Sequence, residues 1–84
     1  MSKIKLYTTT FCPFCVRAKS LLKGMKLDFE EINLTGKYDE LRALKERTGF
    51  MTVPQIFIND TLIGGFQELS SLKSSGELER MLKD

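Results

Sequence analysis

Cys12-Pro13-Phe14-Cys15 holds both cysteines of an 84-residue chain that contains no histidine. Two thiols at this spacing could close a structural disulfide, ligate a metal, anchor a haem, or cycle between dithiol and disulfide. A staple spanning so short a loop contributes only about 2 kcal/mol and leaves most of the chain unconstrained. A closed zinc site needs four ligands, so two thiolates without an imidazole could serve only between molecules. Haem attachment requires a histidine after the second cysteine, and position 16 is Val. The missing histidine also removes Ser-His-Asp and Cys-His catalysis. Redox cycling is the reading that fits, and the flanking elements decide whether the sulfurs are placed for it.

Residues 3–8 (Lys-Ile-Lys-Leu-Tyr-Thr) alternate and are rich in β-branched and aromatic types, which predicts a strand. A polar break from Thr8 to Phe11 follows. Phe14, Ala18, Leu21, Leu22 and Met25 then recur on one face of a helix. Pro13 suits its first position, where a missing N–H has no intrahelical partner to lose. Gly24 suits a left-handed cap at its end. Cys12 therefore stands where unpaired amides and the positive end of the helix dipole stabilise a thiolate. Cys15 lies one turn further in, nearer the protein body. The expected roles are an exposed nucleophile at Cys12 and a shielded resolving thiol at Cys15.

The rest of the chain reads as a scaffold for this corner. Residues 27–33 predict a second strand, with the alternation slipping near Glu31. Tyr38, Leu41, Leu44 and Thr48 predict a second helix closed by Gly49. Val53 to Ile58 forms a strand opened by Pro54, Asn59-Asp60 a turn, and Thr61 to Ile63 a short return strand. After Gly64-Gly65, Leu69 and Leu72 mark a third helix from about Phe66. Gly76 interrupts it before a last helical segment at Leu78, Met81 and Leu82. The order is β-α-β-α-β-β-α, with a parallel opening pair and an antiparallel closing pair. An α/β protein follows, with a mixed four-stranded sheet flanked by helices.

Two features of the second half bear on binding. Pro54 cannot donate to a strand ladder, so taken alone it reads as a trans proline blunting an edge. A cis bond at the same place would instead leave the Val53 backbone free to pair with an extended substrate. Gly64-Gly65-Phe66-Gln67 reads as an ordinary loop, or as helix-opening amides free to hold a carboxylate.

Composition sets the outer bounds. The length allows one domain over residues 1–84. Hydrophobic residues make up 42% and charged residues 29%, which argues against disorder. The net charge of +2 comes from interspersed signs, so neither nucleic acid nor an anionic membrane is an expected partner. No apolar run approaches the roughly 20 residues needed to span a bilayer. The N-terminus lacks the apolar core of a signal peptide. A reducing cytoplasm is the expected location, where a cysteine pair is more often catalytic or metal-binding than structural.

Taken together, the chain resembles the glutaredoxin family over nearly its whole length. The resemblance rests on Tyr7-Thr8, Cys12-Pro13-Phe14-Cys15, Thr52-Val53-Pro54-Gln55-Ile56-Phe57-Ile58 and Ile63-Gly64-Gly65, in the family's order and spacing. Thioredoxins usually carry Trp before a Cys-Gly-Pro-Cys centre, and this chain has no Trp. The Trp-Ser-Gly-Phe ending of the glutaredoxin-like reductases of ribonucleotide reductase is also missing.

That resemblance implies a thioredoxin fold with Pro54 cis, which reverses the preference from the residues alone. It implies glutathione as reducing co-substrate, with disulfide-containing or glutathionylated proteins as partners of a monomeric enzyme and no metal. The Val53 backbone would pair with the cysteinyl part of glutathione, beside Thr52 and Pro54. Gly65 and the amides of Phe66 and Gln67 would hold its γ-glutamyl carboxylate, and Phe14 would flank the mixed disulfide. Three residues depart from the family pattern. Thr9 stands where many relatives have Lys, with Arg42 the candidate replacement cation. Phe14 replaces a commoner Tyr, and Gln67-Glu68 replaces an acidic pair.

The alternative in a different class is an iron–sulfur carrier, in which two chains and two glutathiones share a [2Fe–2S] cluster through Cys12. Pro13 disfavours it, since relatives that hold clusters tend to have smaller residues there. An oxidising disulfide donor of the periplasmic kind would need export and an inserted helical domain, and the sequence carries a sign of neither.

Overall fold

In the computed structural model, which describes residues 3–82, Ile4, Leu6 and Thr8 point to one face of the first strand and Lys5 and Tyr7 to the other. That strand, β1 (Ile4–Thr8), leads to α1 (Pro13–Gly24), β2 (Glu30–Asn33) and α2 (Tyr38–Thr48). The second half runs β3 (Gln55–Ile58), β4 (Thr61–Gly64), α3 (Phe66–Ser75) and α4 (Glu77–Met81). The four strands lie in the order β2-β1-β3-β4, with β2 parallel to β1 and the other pairs antiparallel. This is the expected thioredoxin fold, with the short helix α4 added. The first two and last two residues of the expected 1–84 domain lie outside the described residues.

One sheet face carries the core. Ile4 and Leu6 from β1 and Ile56 and Ile58 from β3 meet Ala18 and Leu22 of α1, Leu69 of α3 and Leu78 of α4. A helix as short as α4 has no independent stability. It is held because Leu78 is fully buried in that cluster, a burial worth roughly 1.5–3 kcal/mol. On the other face, Leu44 of α2 shares a recess with Tyr7, Ile32 and Leu34. Tyr7 also meets Phe57 edge-to-face, with ring centroids 5.6 Å apart.

Several boundaries differ from the sequence reading. Gly24 is the last residue of α1, and the left-handed position falls instead on Lys26, with φ 60°. Lys26 N–H donates to Lys23 O at 2.9 Å and Leu27 N–H to Leu22 O at 3.0 Å, which is a Schellman closure. Met25, the C-cap, packs against the core. Since the Leu27 amide serves that cap, the second strand begins at Glu30, paired with Lys5, and not at residue 27. The third begins at Gln55 and not at Val53, because Pro54 has no N–H for the ladder. The fourth gains Gly64, which pairs with Ile56 beside a bulge. Asn59 and Asp60 both take positive φ, 51° and 67°, the pattern of a two-residue type I′ hairpin. Gly49 and Gly76 end α2 and α3 as expected, both in left-handed conformations.

Candidate active site

Cys12 is the N-cap of α1, with extended backbone (φ −141°, ψ 97°) and Pro13 following at the first helical position. The Cys15 amide donates to Cys12 Sγ at 3.1 Å. A hydrogen bond to the sulfur and the positive helix end thus converge on one atom. The two cysteines are joined in a disulfide with Cα atoms 5.1 Å apart, so the structure is that of the oxidised form. Cys15 is completely buried, as expected. Cys12 is less open than an exposed nucleophile should be, at 9% exposure. The bond to Cys15 covers one side of its sulfur, and the Val53 carbonyl oxygen, 3.6 Å away, covers another. The order of access still holds: of the two sulfurs, only that of Cys12 belongs to a residue reachable from solvent.

Beside this disulfide runs a groove of about 380 Å³. Phe14, Thr52, Val53, Pro54, Gly65, Phe66 and Gln67, the seven residues named from the sequence, all line it. The Val53–Pro54 peptide is cis, which corrects the reading of Pro54 from the residues alone and agrees with the one from resemblance. Phe14 and Phe66 stack at the edge of the groove with centroids 6.2 Å apart, and the Arg17 guanidinium sits 5.3 Å from the Phe14 ring centre. Phe66 and Gln67 occupy the first turn of α3, where main-chain N–H groups have no intrahelical acceptor. The Gly65 amide is used internally: it donates to Glu68 Oε1 at 2.7 Å. Arg42 lies exposed on α2, and neither it nor Thr9 is among the residues that line the groove.

The loop leading into Cys12 is tied from outside. Thr10 N–H donates to Thr35 Oγ at 2.7 Å, and Leu34 N–H donates to Thr8 O at 2.9 Å. Deeper in, the buried Thr8 hydroxyl donates to Glu31 Oε2 at 2.7 Å, and Lys19 Nζ reaches the same oxygen at 3.0 Å. The Thr8 hydrogen bond, then the Lys19 ammonium, hold the Glu31 carboxyl below its ordinary value. This explains the break in strand alternation at Glu31, whose side chain couples β1, α1 and β2.

A family model described as Glutaredoxin matches residues 4–63, from β1 into β4. The chain is 46% identical over 83 residues to a glutaredoxin of Pseudomonas aeruginosa, covering 98% of each. It belongs to the glutaredoxin family. It is also 39% identical over 83 residues to glutaredoxin 3 of Escherichia coli K12, covering 99% of this chain and all of that one. A crystal structure of a buckwheat glutaredoxin–glutathione complex superposes with a TM-score of 0.89 at 28% identity, covering 96% of this chain and 76% of that chain. Glutaredoxins carry out thiol–disulfide exchange, and the Cys12–Cys15 pair supplies the sulfur chemistry here.

Phe50 and Glu68 also line the groove and Arg17 sits over Phe14; Phe50 and Arg17 were not singled out from the sequence, and Glu68 was named there only as part of a departure from the family pattern. Phe50 sits in the irregular segment after Gly49, where no periodicity distinguishes a groove-lining ring from a loop residue. Glu68 stands three positions after the Gly65 cap, a capping-box spacing that could have identified it. Arg17 follows Phe14 by three positions on one helix face, so its place over the ring was legible in principle. Among the described residues, no three of Cys, Asp and Glu converge as a metal-ligand set, and no helix is long and apolar enough to cross a membrane.

Proposed function

We propose that this chain is a glutathione-dependent thiol–disulfide oxidoreductase that reduces protein disulfides and protein–glutathione mixed disulfides. The observation that carries the reading is the alignment of a redox disulfide with a single groove: Val53 lines the groove and its carbonyl lies 3.6 Å from Cys12 Sγ. In this assignment the Val53 backbone meets the cysteinyl part of glutathione. Its N–H has no partner among the described residues. The Phe66 and Gln67 amides hold the γ-glutamyl carboxylate, Gly65 allows the close approach, and Phe14, Thr52 and Pro54 form the walls.

The chemistry is thiol–disulfide exchange. In the monothiol route, the Cys12 thiolate attacks the glutathionyl sulfur of a mixed disulfide, and the protein thiolate leaves. A second glutathione thiolate then attacks the glutathionyl sulfur on Cys12, forming glutathione disulfide and restoring the Cys12 thiolate. In the dithiol route, Cys12 attacks a protein disulfide, and the Cys15 thiolate attacks Cys12 Sγ. The second protein thiolate leaves as the Cys12–Cys15 bond forms. Two glutathiones restore the dithiol, which potentials of about −200 to −230 mV for glutaredoxins permit. We place the enzyme, as a monomer, in the reducing cytoplasm where glutathione is abundant.

A deglutathionylation assay on the wild type, Cys12→Ser and Cys15→Ser tests this assignment. Cys12→Ser is expected to abolish both routes, and Cys15→Ser to spare deglutathionylation while losing reduction of protein disulfides. Equal loss in both variants would defeat the division of roles.

A further inference from the structure

A fully buried primary amide needs a reason, because its two donors and its acceptor lose water on burial. Gln55, completely buried at the start of β3, is such a group. Its Nε2 donates to the Phe50 carbonyl at 2.6 Å, and its Oε1 lies 3.0 Å from the Thr48 hydroxyl oxygen. That same hydroxyl oxygen accepts the Phe50 N–H at 3.1 Å. Both main-chain polar groups of Phe50 are therefore held by two side chains, one at the end of α2 and one at the start of β3. Phe50 lies in no helix or strand and follows the exposed Gly49, so no secondary structure fixes it. Its ring lines the groove and presses toward the opposite wall, with Cζ 3.4 Å from where a Cβ on Gly65 would stand. An apolar side chain at position 55 would fill the same volume without desolvating an amide. What the amide adds is a fixed place for Phe50.

We propose that Thr48 and Gln55 are positioning residues for substrate: through Phe50 they set the width of the groove between the Phe50–Pro54 segment and the start of α3. The inference rests on the glutathione reading above and goes beyond it by naming residues that do not line the groove. Neither side chain touches the reacting sulfurs, so their effect falls on binding the glutathionyl group and not on the exchange itself.

Thr48→Val keeps the shape and removes the hydroxyl, Thr48→Ser keeps the hydroxyl, and Thr48→Ala guards against a misfit of the second methyl. With a glutathionylated cysteine peptide as substrate, Val and Ala are expected to raise KM about fivefold, the equivalent of one buried hydrogen bond. The expected kcat and the Cys12–Cys15 reduction potential are unchanged, and Ser restores KM. An unchanged KM in Thr48→Val alongside a lowered melting temperature would reduce the pair to ordinary structural support and overturn the proposal. A fall in kcat equal to the rise in KM, or failure of Ser to rescue, would also overturn it. A wild type that does not turn over the peptide removes the glutathione reading and this inference together. Wild-type turnover with KM indifferent to Thr48 removes the inference alone.

Discussion

The backbone amide of Cys15 donates to the sulfur of Cys12, 3.1 Å away, so the second cysteine of the pair supports the first. A C-x-x-C pair on an irregular loop would lack this relationship. Here the extended backbone of Cys12 and the helical start at Pro13 place the third residue of the helix under the capping sulfur. In the reduced protein the same amide and the helix dipole are expected to favour the charged sulfur over the protonated one.

The stack on the groove's outer edge makes a prediction about binding. Phe14 faces Phe66 on one side of the site and carries Arg17 over its ring, although it is half exposed. An aromatic pair is worth about 0.5–1.5 kcal/mol beyond its burial, so Phe14→Ala should raise KM for a glutathionylated peptide roughly 2–10-fold. Its exposure means that the melting temperature should hardly move. A normal KM with a lowered melting temperature would assign Phe14 to folding and not to the site.

A second prediction separates the two partners of Glu31. Thr8 is fully buried, whereas the Lys19–Glu31 pair is partly exposed and screened. Thr8→Val should cost about 1–2 kcal/mol in denaturant unfolding at neutral pH. Lys19→Ala should cost less than about 0.5 kcal/mol. The folded pKa of Glu31 is depressed, so its stabilisation is complete above its ordinary value of 4.5 and is lost as pH falls through the folded value. The gap between Thr8→Val and wild type should therefore narrow below pH 4.5. A larger effect from Lys19, or a gap independent of pH, would contradict this ranking.

A third prediction concerns the turn into α3. Gly64 has φ +124°, and a Cβ there would lie 2.8 Å from Cγ of Glu68, the side chain that caps Gly65. Gly64→Ala should cost about 1–3 kcal/mol in unfolding free energy through backbone strain and the displaced cap. A variant as stable as wild type would mean that the cap and backbone rearrange freely.

A fourth prediction bears on the iron–sulfur alternative. Anaerobic reconstitution with iron, sulfide and glutathione is expected to leave a colourless monomer. A visible absorbance band eluting with a dimer would establish cluster binding instead.

Most of the architecture was legible in the sequence because hydrophobic periodicity and cap residues agree. Pro13, Gly49 and Gly76 each mark a real helix end, and Asn59-Asp60 a real hairpin. The errors lie where a local signal competes with a neighbour's need. Gly24 reads as the left-handed cap, but it is the last helical residue, Met25 is the C-cap and the left-handed conformation falls on Lys26. Residues 27–29 looked like strand, but the Leu27 amide closes the preceding helix. Within the site, the seven groove residues were named through resemblance, and the residues' own patterns favoured a trans Pro54. Phe50 and the buried role of Gln55 left no periodic trace, since their importance comes from a long-range meeting of α2, β3 and α3.

The most direct measurement is the ultraviolet thiolate absorbance of the reduced protein against pH, made on Cys15→Ser so that Cys12 alone contributes. A sulfur held at a helix N-terminus by the residue 15 amide should already be ionised at pH 7, and its signal should vanish only on acidification well below the ordinary thiol range. A signal that appears only above pH 8, as in an unstructured cysteine, would contradict the central claim that the start of α1 makes Cys12 the nucleophile.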